Sequence, residues 1–110
     1  MKFSIIKHPK YKIIKIMDPY VVLDELGDLS DISEGFIAKG EYFIGFHFSE
    51  ISYIYSGAIG ALLSLYKKVK PHDGDICIIE PKDDVNKILH DLHLERYLRI
   101  VSSLDELPEE

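Results

Sequence analysis

Apolar residues follow two rhythms along this chain, one of strands and one of helices. "FSIIK" (Phe3 to Lys7) and "YKIIKIM" (Tyr11 to Met17) are short, rich in β-branched residues and separated by "HPKY", which predicts a hairpin. Asp18-Pro19 breaks the pattern, and Pro19 suits the first turn of a helix, where its missing N–H costs nothing. Val22, Leu26 and Leu29 then recur at i, i+4 and i+7, and Phe36 extends the stripe. Gly27 and several Asp and Ser residues weaken that helix, and Gly40 is placed to end it.

"EYFIGFHF" (Glu41 to Phe48) is almost wholly apolar, the mark of a strand buried on both faces. A helix begins after Ser56, with Ile59, Leu62, Leu63, Tyr66 and Val69 as its expected core stripe. "HDG" (His72 to Gly74) turns the chain into a buried strand, "DICIIE". Val85, Ile88, Leu89 and Leu92 outline another helix, "RYLRIV" the last strand, and Ser103 with Glu106 has capping-box spacing for a short terminal helix. The order β-β-α-β-α-β-α-β-α predicts an α/β fold. Its sheet is mixed and mostly parallel, with an antiparallel N-terminal edge hairpin, right-handed crossovers and about four helices.

Composition narrows the function classes. A chain of 110 residues is expected to form one domain over 1–110. It has 13 basic and 19 acidic residues and a net charge of −6, with no long basic run, so nucleic acid and anionic membranes are poor partners. No apolar window approaches the roughly 18 residues of a spanning helix, and the N-terminus does not read as a targeting signal. No direct membrane insertion and a cytoplasmic location are expected. Cys77 is the only cysteine, so no intrachain disulfide forms. It lies in "ICII" and reads as a small buried hydrophobe.

The chemistry-bearing candidate is "SEISYIYSGAIGALLSLYKKVK" (Ser49 to Lys70). Function in open α/β sheets gathers where strands hand over to helices, and Ser56 stands at such a handover. Serine is a favoured N-cap, its oxygen accepting an N–H from the first turn. The same helix start favours an anion, including a covalent phosphate. Gly57, Ala58 and Gly60 are small enough for another molecule to approach the backbone. No G-x-S-x-G elbow surrounds Ser56 and no Walker lysine comes after Gly60, so neither a hydrolase nor a P-loop is indicated. His90 and His93, at i and i+3, fall short of the three or four ligands of a zinc site. No metal or cofactor is implied.

From Phe48 to Leu107 the chain resembles the STAS domain, the family of anti-sigma factor antagonists. "ISYIYSGAIGALLSLYKKVK" matches the family's strand end, Asp-Ser-Ser/Ala-Gly-Leu-Gly turn and helix, and "GDICIIEPKDDVNKILHDLHLERYLRIVSSLDEL" matches its closing elements. The resemblance implies a bacterial, non-enzymatic interaction module whose partner is an anti-sigma factor or serine-kinase-like protein. It also implies that Ser56 is the residue the kinase phosphorylates. The implied docking surface comprises Tyr55, Ser56, Gly57, Ala58, Ile59 and Gly60, with Ser49 and Glu50 at its flank. The chain departs from the pattern where Tyr55 replaces the usual acidic residue and Ala58 replaces a glycine. Alternatives are a STAS adaptor that is never phosphorylated, within a stress-signalling or lipid-transport assembly, and a small anion- or nucleotide-binding domain. A monomer or weak dimer is expected.

Overall fold

The computed structural model describes residues 3–17, 20–21 and 26–110. Strands β1 (Phe3–Ile6) and β2 (Lys12–Ile16) form the expected antiparallel hairpin, with Phe3 opposite Ile16 and Ile6 opposite Ile13. A two-residue strand, β3 (Tyr20–Val21), precedes helix α1 (Leu26–Ala38). Strands β4 (Phe43–His47) and β5 (Tyr53–Ile54) lead into α2 (Ser56–Val69). Then come β6 (Asp75–Ile79), α3 (Asp83–Asp91) and β7 (Arg99–Val101).

The main sheet has the order β1-β2-β4-β6-β7. Only the β1–β2 pair is antiparallel; β2–β4, β4–β6 and β6–β7 are parallel. The period of two sorts each strand between two cores. Ile14, Ile16, Ile44, Phe46, Ile76 and Ile78 pack with the helical residues Leu62, Leu65, Val85 and Leu89. Ile13, Cys77 and Ile79 lie on the opposite face, closed by Tyr11 and Leu107. This explains the unbroken apolar run in β4 and β6: both faces of the central strands are covered.

The helix boundaries refine the sequence expectations. The helix expected from Pro19 is seen from Leu26; Pro19 and Val22 lie outside the described residues. Gly40 ends it in the left-handed region (φ 83), with Glu41 N–H bonded to Phe36 O and Gly40 N–H to Ile37 O, the paired bonds of a Schellman motif. In α2 the innermost stripe is Ala58, Leu62, Leu65 and Val69, while Ile59, Leu63 and Tyr66 are half-buried flanks. Leu92 falls one residue beyond α3 and is 53% exposed. The expected fourth helix is a single 3₁₀ turn (Leu104–Glu106), started by the Glu106 carboxylate, which accepts the N–H groups of Ser102 and Ser103 at 2.8 and 2.9 Å.

Candidate functional site

The route from β4 to α2 is not one continuous strand. After His47, the Phe48 N–H bonds to Ile79 O, which ties the chain to the end of β6. Ile51 N–H then bonds back to Phe48 O, so Ser49 and Glu50 form a turn. Ile51 and Ile54 are buried and anchor the segment that enters α2. Tyr53 and Ile54 pair in parallel with Tyr20 and Val21, a two-strand ladder separate from the main sheet.

Tyr53 and Tyr55, two residues apart on extended backbone, both point outward. Their exposures are 47% and 42%, and their rings meet edge to face with centroids 4.7 Å apart. The pair offers apolar ring surface with polar hydroxyl tips, the kind of side chain enriched where proteins meet. Tyr53 is not among the residues the sequence singles out; its i, i+2 spacing from Tyr55 is the signal that could have found it.

The cap of α2 differs from the sequence expectation. Tyr55 occupies the N-cap position, with extended backbone (φ −91, ψ 158) and no side-chain capping bond. Its carbonyl receives the N–H groups of Ala58 at 2.9 Å and Ile59 at 3.3 Å. Ser56 is therefore the first helical residue and not the cap. Its side chain is exposed, and none of the described hydrogen bonds uses its hydroxyl. The N–H groups of Ser56 and Gly57, which precede Ala58 and Ile59, have no carbonyl one turn back within the helix, and no acidic residue stands in the first turn.

The remaining candidates divide by exposure. Gly57 and Ile59 are half-buried and Gly60 is exposed, with open space where a Cβ would stand. Ala58 is 2% exposed and belongs to the core, so its side chain is turned away from any docking partner. Glu50 is exposed and Ser49 half-buried in the preceding turn. The candidate site is thus a surface, built of two tyrosines, one exposed hydroxyl and glycine-bared backbone at the start of α2.

The other sequence candidates are accounted for locally. Cys77 is fully buried between strands, and burial pushes its thiol up to about 12. His90 and His93 are exposed, their Nδ1 atoms 3.5 and 3.9 Å from the Glu95 carboxylate. Among the described residues no group of three or more His, Cys, Asp or Glu side chains is placed to hold a metal. No helix among them is long and apolar enough to cross a membrane.

The model of the STAS domain matches residues 29–107, which include β4, α2, β6, α3 and β7. The chain belongs to the STAS-domain family. No protein of curated function matches it. Solved structures share the STAS fold at low identity. A candidate anti-sigma factor antagonist of Thermotoga maritima, TM1081, is 18% identical, with a TM-score of 0.77 over 96% of this chain and 88% of its own. The phosphorylated form of SpoIIAA, a cell-fate determinant of Bacillus, is 14% identical with a TM-score of 0.70 over 90% of each chain. An anti-sigma-factor antagonist (STAS) domain protein of Planctomyces limnophilus is 11% identical, with a TM-score of 0.82 over 94% of this chain and 92% of its own. At these identities the likeness establishes the fold, a mixed five-stranded sheet with three α-helices.

Proposed function

We propose that this STAS domain is a non-enzymatic, cytoplasmic interaction module of a bacterial regulatory system. It docks an anti-sigma factor or a related serine kinase through the start of α2, and phosphorylation of Ser56 switches the docking. One observation carries the reading: the Ser56 hydroxyl is exposed at the first position of α2 and is not occupied in capping it. A phosphate there gains from the helix dipole and from the N–H groups of Ser56 and Gly57, which precede the first intrahelical bonds, so the fold tolerates it. It also adds about −1.5 to −2 charges to the face a partner must approach. A nucleophilic role is disfavoured, because no described hydrogen bond links Ser56 to a base.

A constitutive STAS adaptor is the second reading, favoured by one substitution. Tyr55 stands where the family carries an acidic residue, and its exposed ring suits an apolar anchor better than a kinase recognition charge. The small-anion reading has less support. A cleft of about 340 Å³ at the carboxyl end of the sheet is walled in part by Glu80, Asp83 and Glu106, which repel anions.

The test is the intact mass of the protein from its own cells in several growth states, with fragmentation across Ser49 to Lys70. Binding of the recovered partner to the Ser56→Asp variant is measured alongside. A phosphate on Ser56 and lost binding by Ser56→Asp are expected. An unmodified chain in every state, with Ser56→Asp binding as wild type, overturns the switch and leaves the constitutive adaptor.

A further inference from the structure

His47 is the last residue of β4 and is 7% exposed, one of only two buried polar residues among those described. Its Nε2 lies 3.3 Å from Oε2 of Glu80, which assigns the ring proton to Nε2. Its Nδ1 is buried and has no hydrogen-bond partner among the described residues. Glu80 stands just beyond β6 with φ 56, a left-handed conformation that non-glycine residues adopt sparingly. It is held there by its N–H, bonded to Val101 O at 2.8 Å.

The neutral ring suits this site better than the charged one, because its bare Nδ1 is an unpaired acceptor but leaves no N–H donor stranded. A second proton would put an N–H on Nδ1 where no acceptor exists, in a place burial already makes hostile to charge. The groups facing the ring are Lys15 from β2, which opposes protonation, and Glu80 and Glu50, which favour it. Burial is the largest of these influences, and the ring titrates below the usual histidine range. The ring is also rooted next to the turn that begins at Phe48, whose N–H is bonded to Ile79 O.

We propose that His47 and Glu80 form a proton-operated clasp on the Phe48–Ile51 turn. With the ring neutral, the imidazole stays buried against Glu80 and holds the turn in place. When a proton from solvent adds to Nδ1, the ring rotates outward until that N–H reaches water, and the turn carrying Ser49 and Glu50 moves with it. Regulation of docking by this movement rests on the function proposed above, but the movement itself does not.

The experiment is an NMR titration of the free chain between about pH 8 and pH 3.5, following the histidine rings and the amides of Phe48 to Ser52. The expected result is that those amides shift with the midpoint of the His47 ring. Glu80→Gln, which removes the favourable charge, lowers both midpoints together. In His47→Gln the amide transition disappears; if that variant does not fold, Glu80→Gln alone decides. Two results overturn the clasp: a His47 titration with the turn's amides unmoved, or an amide midpoint unchanged in Glu80→Gln. No partner enters the readout, so failure of the docking reading and failure of the clasp are separately visible.

Discussion

Tyr53 and Tyr55, with one residue between them, lean edge to face, their ring centroids 4.7 Å apart, immediately before the first residue of α2. Both rings are nearly half exposed, while Ile54 between them is buried. The short β5 ladder thus presents the aromatic pair outward and uses the intervening side chain as its anchor.

Removing the pair should separate binding from folding. Tyr53→Ala with Tyr55→Ala is expected to weaken partner binding by at least about 2 kcal/mol, roughly thirty-fold, the scale of a buried aromatic anchor. Folding stability should change by less than about 1 kcal/mol, since neither ring belongs to the core. Calorimetry with the recovered partner and urea unfolding of the free protein check the two halves.

Ser56 and Gly60 should behave as functional residues with little structural duty. Ser56→Ala is expected to alter stability by less than about 0.5 kcal/mol, against about 1 kcal/mol for a true N-cap. Gly60→Ala meets open space in a helix and should stabilise the fold by up to about 1 kcal/mol. The same added methyl should impair docking by holding a partner off the backbone. Chemical denaturation and binding measured on the same samples would show opposite signs for Gly60→Ala.

Gly74 answers to packing instead. A Cβ there would collide with the Tyr42 carbonyl and sit 2.8 Å from the Cβ atoms of both Tyr42 and Val69. Gly74→Ala is expected to cost about 3 kcal/mol or more, the upper end for overpacking, because backbone must shift. Urea unfolding midpoints against wild type, or loss of soluble protein, measure it.

Tyr11 should make stability fall in alkali. Its hydroxyl donates to Asp75 Oδ2 at 2.6 Å, and Arg99 Nε donates to the same oxygen at 2.7 Å. Burial first, then the bond to Asp75, raises the phenol well above its ordinary value. The unfolded chain therefore releases this proton first, and stability declines as pH climbs past about 10. Tyr11→Phe should cost about 1 kcal/mol at neutral pH and flatten that decline. Denaturant curves for both proteins from about pH 8 to pH 11 test the difference.

Much of this fold was legible because its signals are strong and local. The isoleucine-rich strands, the Gly40 stop and the parallel order of β4, β6 and β7 came from periodicity and connection type. The site was legible in position but not in detail. A two-residue ladder such as β3–β5 has no period to detect, so the break between His47 and Tyr53 was invisible. Serine's preference for N-caps also misplaced the start of α2. Burial of Ile54 and inward packing of Ala58, Leu62 and Leu65 set the helix phase, and that phase gives the cap position to Tyr55. Tertiary packing overrode a local preference worth about 1 kcal/mol, and in doing so it took the serine hydroxyl out of the capping position.

The strand order β1-β2-β4-β6-β7 runs outward in the sequence without a reversal. No strand has to insert between two that are already paired. Each new strand, as it leaves the ribosome, meets a finished edge and adds to it. The sheet can therefore assemble in the order of synthesis, and α2, with Ser56 at its head, is already in the growing chain when β6 docks. The surface at the start of α2 is set before strand β7 completes the sheet.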